Sequence, residues 1–393
     1  MKKMLSVILA LVMVFSLTAV AFANGTTSPQ SVLKFNADGK FKILFLADVQ
    51  DGYPMKEAAV QFINEALDAT NPDLVIFGGD NIVCDDILAY EQLLAPLVDR
   101  GVNFTFVLGN HDDESTHLNP EQILAEYQKR PGCLAYDPEP DLHGCATHNL
   151  EIKSSDGSKT AFNLWMFDSG DYATFANGES GYDCVRADQV EWYKNQSAAL
   201  QAANGGALVP SLAFQHIIVQ EVYEAAYFRT PNLGKLTKNF SDGTSYGAVP
   251  NLLKINGIIQ EGPWPSLDNE GQWDAFVERG DVLGCVFGHD HTNSFIVNFK
   301  GVDIIQCAGT TYNSYGNTNV RGGTLFTLDE NKPFEYEREL ITAADLALKE
   351  GSALPGLDGY SKADYFFGTV SKGLVLTIMS FLKIFAALVK AVI

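Results

Sequence analysis

The chain has 393 residues, enough for one large core or two ordinary ones. Its 46% apolar content excludes a wholly disordered protein. A formal net charge of -21 excludes a general basic face for duplex nucleic acid, so any phosphate-bearing ligand must be drawn in by a local positive centre such as bound metal.

Residues 1–23 read as a signal peptide: Lys2 and Lys3, an apolar run from Leu5 to Val20, then the small-residue cleavage site Ala21-Phe22-Ala23. The expectation is an exported, extracellular or surface-attached protein, with an uncleaved anchor as the alternative. After a polar lead-in, apolar runs alternate with helical spacing: a strand at Phe41–Ala47, a helix over residues 54–70, a strand at Leu74–Phe77, a helix at Tyr90–Val98 and a strand at Val102–Leu108. This β-α-β-α-β opening predicts a layered α/β fold. A helix at Glu121–Lys129 follows, then a hairpin of His148–Lys153 and Ala161–Phe167, a helix at Val190–Ala203 and a strand at Leu212–Ile218.

Between Tyr223 and Asp274 the Gly/Pro/Asn-rich composition predicts a long excursion shaping a ligand mouth. Strands are then predicted at Val282–Phe287, Ser294–Phe299, Val302–Ala308, Gly323–Leu328 and Phe334–Leu340. The domain is placed at residues 24–345, followed by a linker and an apolar amphipathic helix within 346–393. In that helix Lys383 and Lys390 lie nearly in line, which suits a lipid interface; spanning the membrane and packing on protein are the alternatives. Six cysteines permit disulfides in an exported chain, with Cys133 and Cys145 the best candidate pair and Cys84 with Cys184 a second. Cys285 and Cys307 sit inside apolar runs and read as buried hydrophobes.

Five apolar strands each end in a polar cluster: Asp48-Val49-Gln50, Gly79-Asp80-Asn81, Gly109-Asn110-His111-Asp112, Gln215-His216 and Gly288-His289-Asp290-His291. Imidazole with carboxylate and carboxamide oxygen suits Zn, Fe or Mn, and a carboxylate shared by two cations builds a two-metal hydrolase site. Asp80 is the natural bridge. The ordered set resembles the calcineurin-like metallophosphoesterase superfamily, and Phe77-Gly78-Gly79-Asp80-Asn81-Ile82 with Phe167-Asp168-Ser169-Gly170-Asp171-Tyr172 is similar to its purple-acid-phosphatase-related branch.

The resemblance implies an α/β fold of two mixed β-sheets stacked face to face, a four-layer α/β/β/α sandwich flanked by helices. It implies one divalent or trivalent metal ion on Asp48, Asp80 and His291, and a second on Asp80, Asn110, His216 and His289. His111 would protonate or stabilise the leaving oxygen during in-line attack of a metal-bound hydroxide on a phosphate ester, phosphomonoester ahead of phosphodiester. Asp112 and Asp290 read as groups that hold turn geometry or orient ligands. The chain departs from the family pattern at Gln50, where the superfamily usually has His, and at Val83, where purple acid phosphatases have Tyr. A carbonyl from Gln50 is a weaker ligand than imidazole, and Asp51 is a substitute candidate. A catalytically impaired module that binds a phosphorylated small molecule, glycan or lipid is therefore the second reading.

Overall fold

The computed structural model describes residues 32–347 other than 177, 232, 233, 235 and 236. The expected signal peptide and the apolar C-terminal helix lie outside the described residues. The chain begins with β1 (Leu33–Lys34), β2 (Lys40–Leu46), α1 (Glu57–Thr70), β3 (Leu74–Gly78), α2 (Leu88–Arg100), β4 (Asn103–Val107) and α3 (Pro120–Gln128). A hairpin of β5 (His148–Lys153) and β6 (Thr160–Met166) precedes a smaller one, β7 (Tyr172–Thr174) and β8 (Ser180–Tyr182). Next come α4 (Ala187–Ala203), β9 (Ser211–Gln215), α5 (Val222–Ala226), β10 (Tyr227–Thr230), β11 (Thr237–Asn239), β12 (Ser245–Pro250), β13 (Asn256–Ile258) and α6 (Gln272–Arg279). The described chain closes with β14 (Val282–Phe287), β15 (Ser294–Phe299), β16 (Val302–Gln306), β17 (Gly322–Asp329), β18 (Tyr336–Thr342) and a single turn at Ala343–Asp345.

Two mixed sheets carry the fold, one of eight strands in the order β1-β5-β6-β9-β14-β16-β15-β13 and one of five in the order β18-β17-β2-β3-β4. Strand alternation sends successive side chains to opposite faces. On β2, Ile43 and Phe45 join a core between the sheets, whereas Leu44 and Leu46 pack under helices. On β9, Leu212 and Phe214 face the same central core and Ala213 the opposite side. Helices α1, α2 and α3 cover the outer face of the smaller sheet; α4, α5 and α6 cover that of the larger. This is the four-layer α/β/β/α sandwich. Each fully buried aliphatic or aromatic side chain in these cores contributes roughly 1.5–3 kcal/mol of transfer free energy.

Local signals explain the element ends. Asn119 and Gln122 form a reciprocal capping box that starts α3 at Pro120, one residue before the predicted Glu121. Asn71 adopts the left-handed conformation and its N–H closes onto Leu67, ending α1 ahead of Pro72.

Two expectations are corrected. The Tyr223–Asp274 excursion is not a bare loop: it holds α5, the three-stranded sheet β10-β12-β11 and β13, which pairs with β15 on the edge of the large sheet. Its short strands escaped notice because Gly, Asn and Pro dilute the alternation that marks a strand. Cys133 and Cys145, like Cys84 and Cys184, are free thiols. Cys145 is buried, with its N–H bonded to Asp168, so the polar loop between the two cysteines is held by a carboxylate rather than a disulfide.

Candidate metal centre

Strands β2, β3 and β4 run parallel in one sheet, and β6, β9, β14 and β16 run parallel in the other. Their C-terminal ends meet at one edge of the sandwich, where open α/β sheets place ligands. Asp48 follows β2, Asp80 follows β3, Asn110 and His111 follow β4, His216 follows β9, and His289 and His291 follow β14. Backbone and side-chain bonds stitch the strand ends together there, within the smaller sheet and between the two sheets. Asp48 N–H donates to Gly79 O at 2.9 Å, His216 Nδ1 bonds Gly78 O at 2.7 Å, and His289 N–H lies 3.1 Å from both Asp48 carboxylate oxygens.

The turns that deliver these groups are strained. Asp48, Gln50, Asp80 and His289 all have positive φ, between 44° and 74°. Such a conformation costs roughly 1–2 kcal/mol per L-residue and concentrates at functional sites. Close approach explains two glycines: a Cβ on Gly109 would lie 2.2 Å from Asp80 Oδ1, and one on Gly79 would lie 2.6 Å from His216 Nδ1.

Ligand atoms of Asp80, His216 and His289 lie within 4.8 Å of one another, and all three residues are buried. His216 Nε2 stands 3.1 Å from Asp80 Oδ2 and 3.9 Å from Asp48 Oδ1, yet makes no hydrogen bond. Asn110 Oδ1 is likewise buried without a hydrogen-bond partner, while its Nδ2 donates to the Tyr172 hydroxyl at 3.0 Å. Leaving a buried acceptor such as Asn110 Oδ1 unpaired costs about 1–3 kcal/mol, so that atom calls for a partner, whereas His216 Nε2 faces the Asp80 carboxylate as an ion pair. A cation fits: His216 and His291 each turn Nδ1 to a backbone carbonyl, Gly78 and Tyr315, leaving Nε2 as the coordinating atom.

The electrostatics describe a site held together by mixed charge. Burial pushes the Asp48 carboxyl up to about 6, against the pull of His291 and His216. Burial pushes Asp80 up too, but His216 and His111 outweigh it and hold Asp80 below the ordinary range. Burial lowers His216, and the Asp80 and Asp48 carboxylates overcome this to raise it to about 10. Burial and the neighbouring His216 push His289 down to about 3, so its imidazole is neutral and fit to ligate.

Gln50 is 7% exposed and turns Nε2 toward Asp80 Oδ2 at 3.2 Å. His291 Nε2 lies 3.5 Å from Asp48 Oδ1. Asp51, the substitute candidate, instead accepts from Gly52 N–H and Lys56 N–H, which holds the loop before α1. Asp112 accepts from Gly109, Asp80 and Asn81 N–H at 2.8–2.9 Å, clamping the Asp80 turn, and burial beside Asp80 lifts it to about 7. Asp290 is fully buried; its Oδ1 has no hydrogen-bond partner, and burial with Glu261 nearby holds it well above the usual carboxylate range.

His111 rises over the buried cluster with its N–H on Asp80 Oδ1 at 2.8 Å and its Nδ1 bonded to Glu114. Three tyrosines, none singled out from sequence for this role, line the cluster. Tyr182 presents its ring edge-on to His289 at 4.4 Å, Tyr172 stacks on Tyr182, and Tyr315 stacks on His291 at 4.1 Å. Only the Asp-Ser-Gly-Asp-Tyr segment ending at Tyr172 hinted at this. Of the aromatic residues considered as stacking platforms, Tyr312 packs under Arg321, Tyr227 packs on Tyr223, and Trp264 and Phe228 are half exposed, with Lys238 over Trp264.

A sandwich of two mixed sheets with carboxylates, a carboxamide and imidazoles gathered at one strand edge defines a metallohydrolase-type protein. Residues 41–293 match the family described as calcineurin-like phosphoesterase, and the chain belongs to that family. Among curated relatives, "Probable inactive purple acid phosphatase 29" of Arabidopsis thaliana is 28% identical over 341 residues, 78% of this chain and 81% of its own. "Probable inactive purple acid phosphatase 14" of the same plant is 26% identical over 72% of this chain and 74% of its own. "Phosphatase DCR2" of Saccharomyces cerevisiae is 28% identical over 66% of this chain and 45% of that longer protein.

Proposed function

We propose that the protein is a dinuclear metal-dependent phosphoesterase acting on phosphate monoesters ahead of diesters. Asp48, Asp80 and His291 would hold one ion, and Asp80, Asn110, His216 and His289 the other, drawn from Mn, Fe or Zn. The carrying observation is that buried ligand atoms of Asp80, His216 and His289 lie within 4.8 Å of one another. Bound cations would neutralise the phosphoryl oxygens and raise the acidity of an attacking water. Asp80 would share its oxygens between the two positions, since His216 faces one and the His111 N–H holds the other. His111, with Nδ1 on Glu114, keeps Nε2 for the substrate: as the ester P–O bond breaks, the Nε2 proton passes to the departing oxygen. Phosphatase appears in the relatives' names, which supports the monoester preference.

Metal analysis of purified protein together with hydrolysis of 4-nitrophenyl phosphate tests this reading. It expects about two ions per chain and turnover that Asp80→Asn abolishes; well under one ion and no turnover would overturn it. A second reading, an impaired site that binds a phosphorylated ligand without turnover, draws on Gln50, whose amide nitrogen already bonds Asp80, and on the word "inactive" in two relatives' names. A large gain of activity in Gln50→His would favour it. From the sequence of the two ends we also propose export and contact of the C-terminal helix with a lipid surface; appearance of the full-length chain in the culture medium rather than with cells and membranes would count against that contact.

A further inference from the structure

Asn110 and His111 are neighbours in sequence, and each is held by a residue from outside the β4 turn. The Asn110 Nδ2 group donates to the Tyr172 hydroxyl at 3.0 Å, across 62 residues of sequence. Burial and the nearby Glu114 carboxylate push that phenol up from its ordinary range, so the hydroxyl keeps its proton. Glu114 also takes the Nδ1 side of the His111 ring. An amide N–H only donates, so the hydroxyl oxygen accepts it through a lone pair. The amide thus turns its nitrogen to Tyr172, and its Oδ1 is buried with no hydrogen-bond partner. With Tyr172 absent, the nearly symmetric amide could rotate and present NH₂ to a cation.

Resting on the phosphoesterase reading above, we propose that Glu114 and Tyr172 are positioning residues. As the two arms of a bracket, Tyr172 holds the Asn110 amide so that Oδ1 is left for the metal centre, and Glu114 holds the His111 ring so that Nε2 is left for the substrate's leaving oxygen. The bracket is anchored from the side. Tyr172 lies on β7 and stacks on Tyr182 of β8 at 5.5 Å, and Tyr182 packs edge-on against His289. The small hairpin thus touches a metal-ligand candidate and holds the group that orients another. On the His111 side, the backbone N–H is already fixed by Asp80, so the ring has only the Glu114 contact to set its rotation.

Three measurements on the full chain test the bracket. In Tyr172→Phe the ring stack on Tyr182 is kept and only the hydroxyl is lost, so calorimetric titration with Mn²⁺ is expected to show one of two sites weakened by about tenfold, the low end for partners that orient metal ligands. In Glu114→Ala the ring ¹⁵N shifts of His111 are expected to move toward those of a free imidazole, and Glu114→Gln, which keeps an acceptor, to restore them in part. With esters, Glu114→Ala should slow phenyl phosphate about tenfold more than 4-nitrophenyl phosphate, because only the poorer leaving group needs the proton. Wild-type Mn²⁺ affinity in Tyr172→Phe, unchanged His111 shifts in Glu114→Ala, or equal slowing of both esters would overturn the corresponding half of the bracket. If the native protein hydrolyses neither ester, the phosphoesterase reading fails, while calorimetry and the nitrogen shifts still decide the bracket.

Discussion

The two halves of the proposed metal centre are built to different standards. On the His216 side, Asn110 Oδ1 is buried with no hydrogen bond, and His216 Nε2 has only the Asp80 and Asp48 carboxylates facing it, at 3.1 and 3.9 Å. On the Asp48 side, Gln50 already donates to the shared Asp80, and Asp48 accepts from the His289 N–H. One half is incomplete without a cation; the other has in part closed on itself. The difference shows that a single substitution, Gln for an imidazole, alters a site by supplying a donor where an electron pair is needed.

The largest expected effect comes from removing what the halves share. Asp80→Asn should lower metal content to well under one ion per chain, measured by elemental analysis, and cut phosphoesterase activity at least about 100-fold. Next, the comparison itself is broken if His289→Ala and His291→Ala weaken Mn²⁺ binding equally by calorimetry. The expectation is that His289→Ala costs more, on the order of 100-fold against about tenfold, because its half depends wholly on ligation.

Metal should also stabilise the fold, by about 2.7 kcal/mol at 100 times the dissociation constant, and more so at higher pH. The sign follows from Asp48 and His216. Without metal, Asp48 is raised to about 6, so its protonated form favours the folded state; that contribution is complete below about pH 4, the unfolded carboxyl's range, and is lost as pH rises through 6. His216, raised to about 10, contributes fully below about 6.5 and loses it only above 10. An ion replaces both protons, so its binding strengthens as pH rises. The gain in Tm on adding Mn²⁺ should therefore be larger near pH 7.5 than near pH 5; equal gains would argue that the ion binds elsewhere. The smallest effect is Gln50→His, expected to raise affinity of the Asp48-side site by several-fold to about tenfold, read by calorimetry at the weaker of two binding steps.

Much of this was legible in the residues themselves. Continuous apolar runs along β2, β3, β4, β9 and β14 marked the strands within a few residues, and the polar groups that follow them named the candidate cluster, because both are short-range patterns in the chain. Asp48, Asp80, His216, His289 and His291, from four different strand ends, lie close together in the fold. What only the tertiary structure decided is where the partners of those groups come from. Tyr172 reaches Asn110, Tyr315 covers His291, Asp51 is drawn off to cap the α1 approach, and Cys133 stays reduced while the loop up to Cys145 closes through Asp168. The edge strands of the Tyr223–Asp274 region likewise exist because β15 and β12 are there to pair with them. Backbone propensity and strand period act over a handful of residues, so sequence reveals them; a side chain's hydrogen-bond partner is set by which distant segment packing brings within about 3 Å, and that is a property of the whole folded chain.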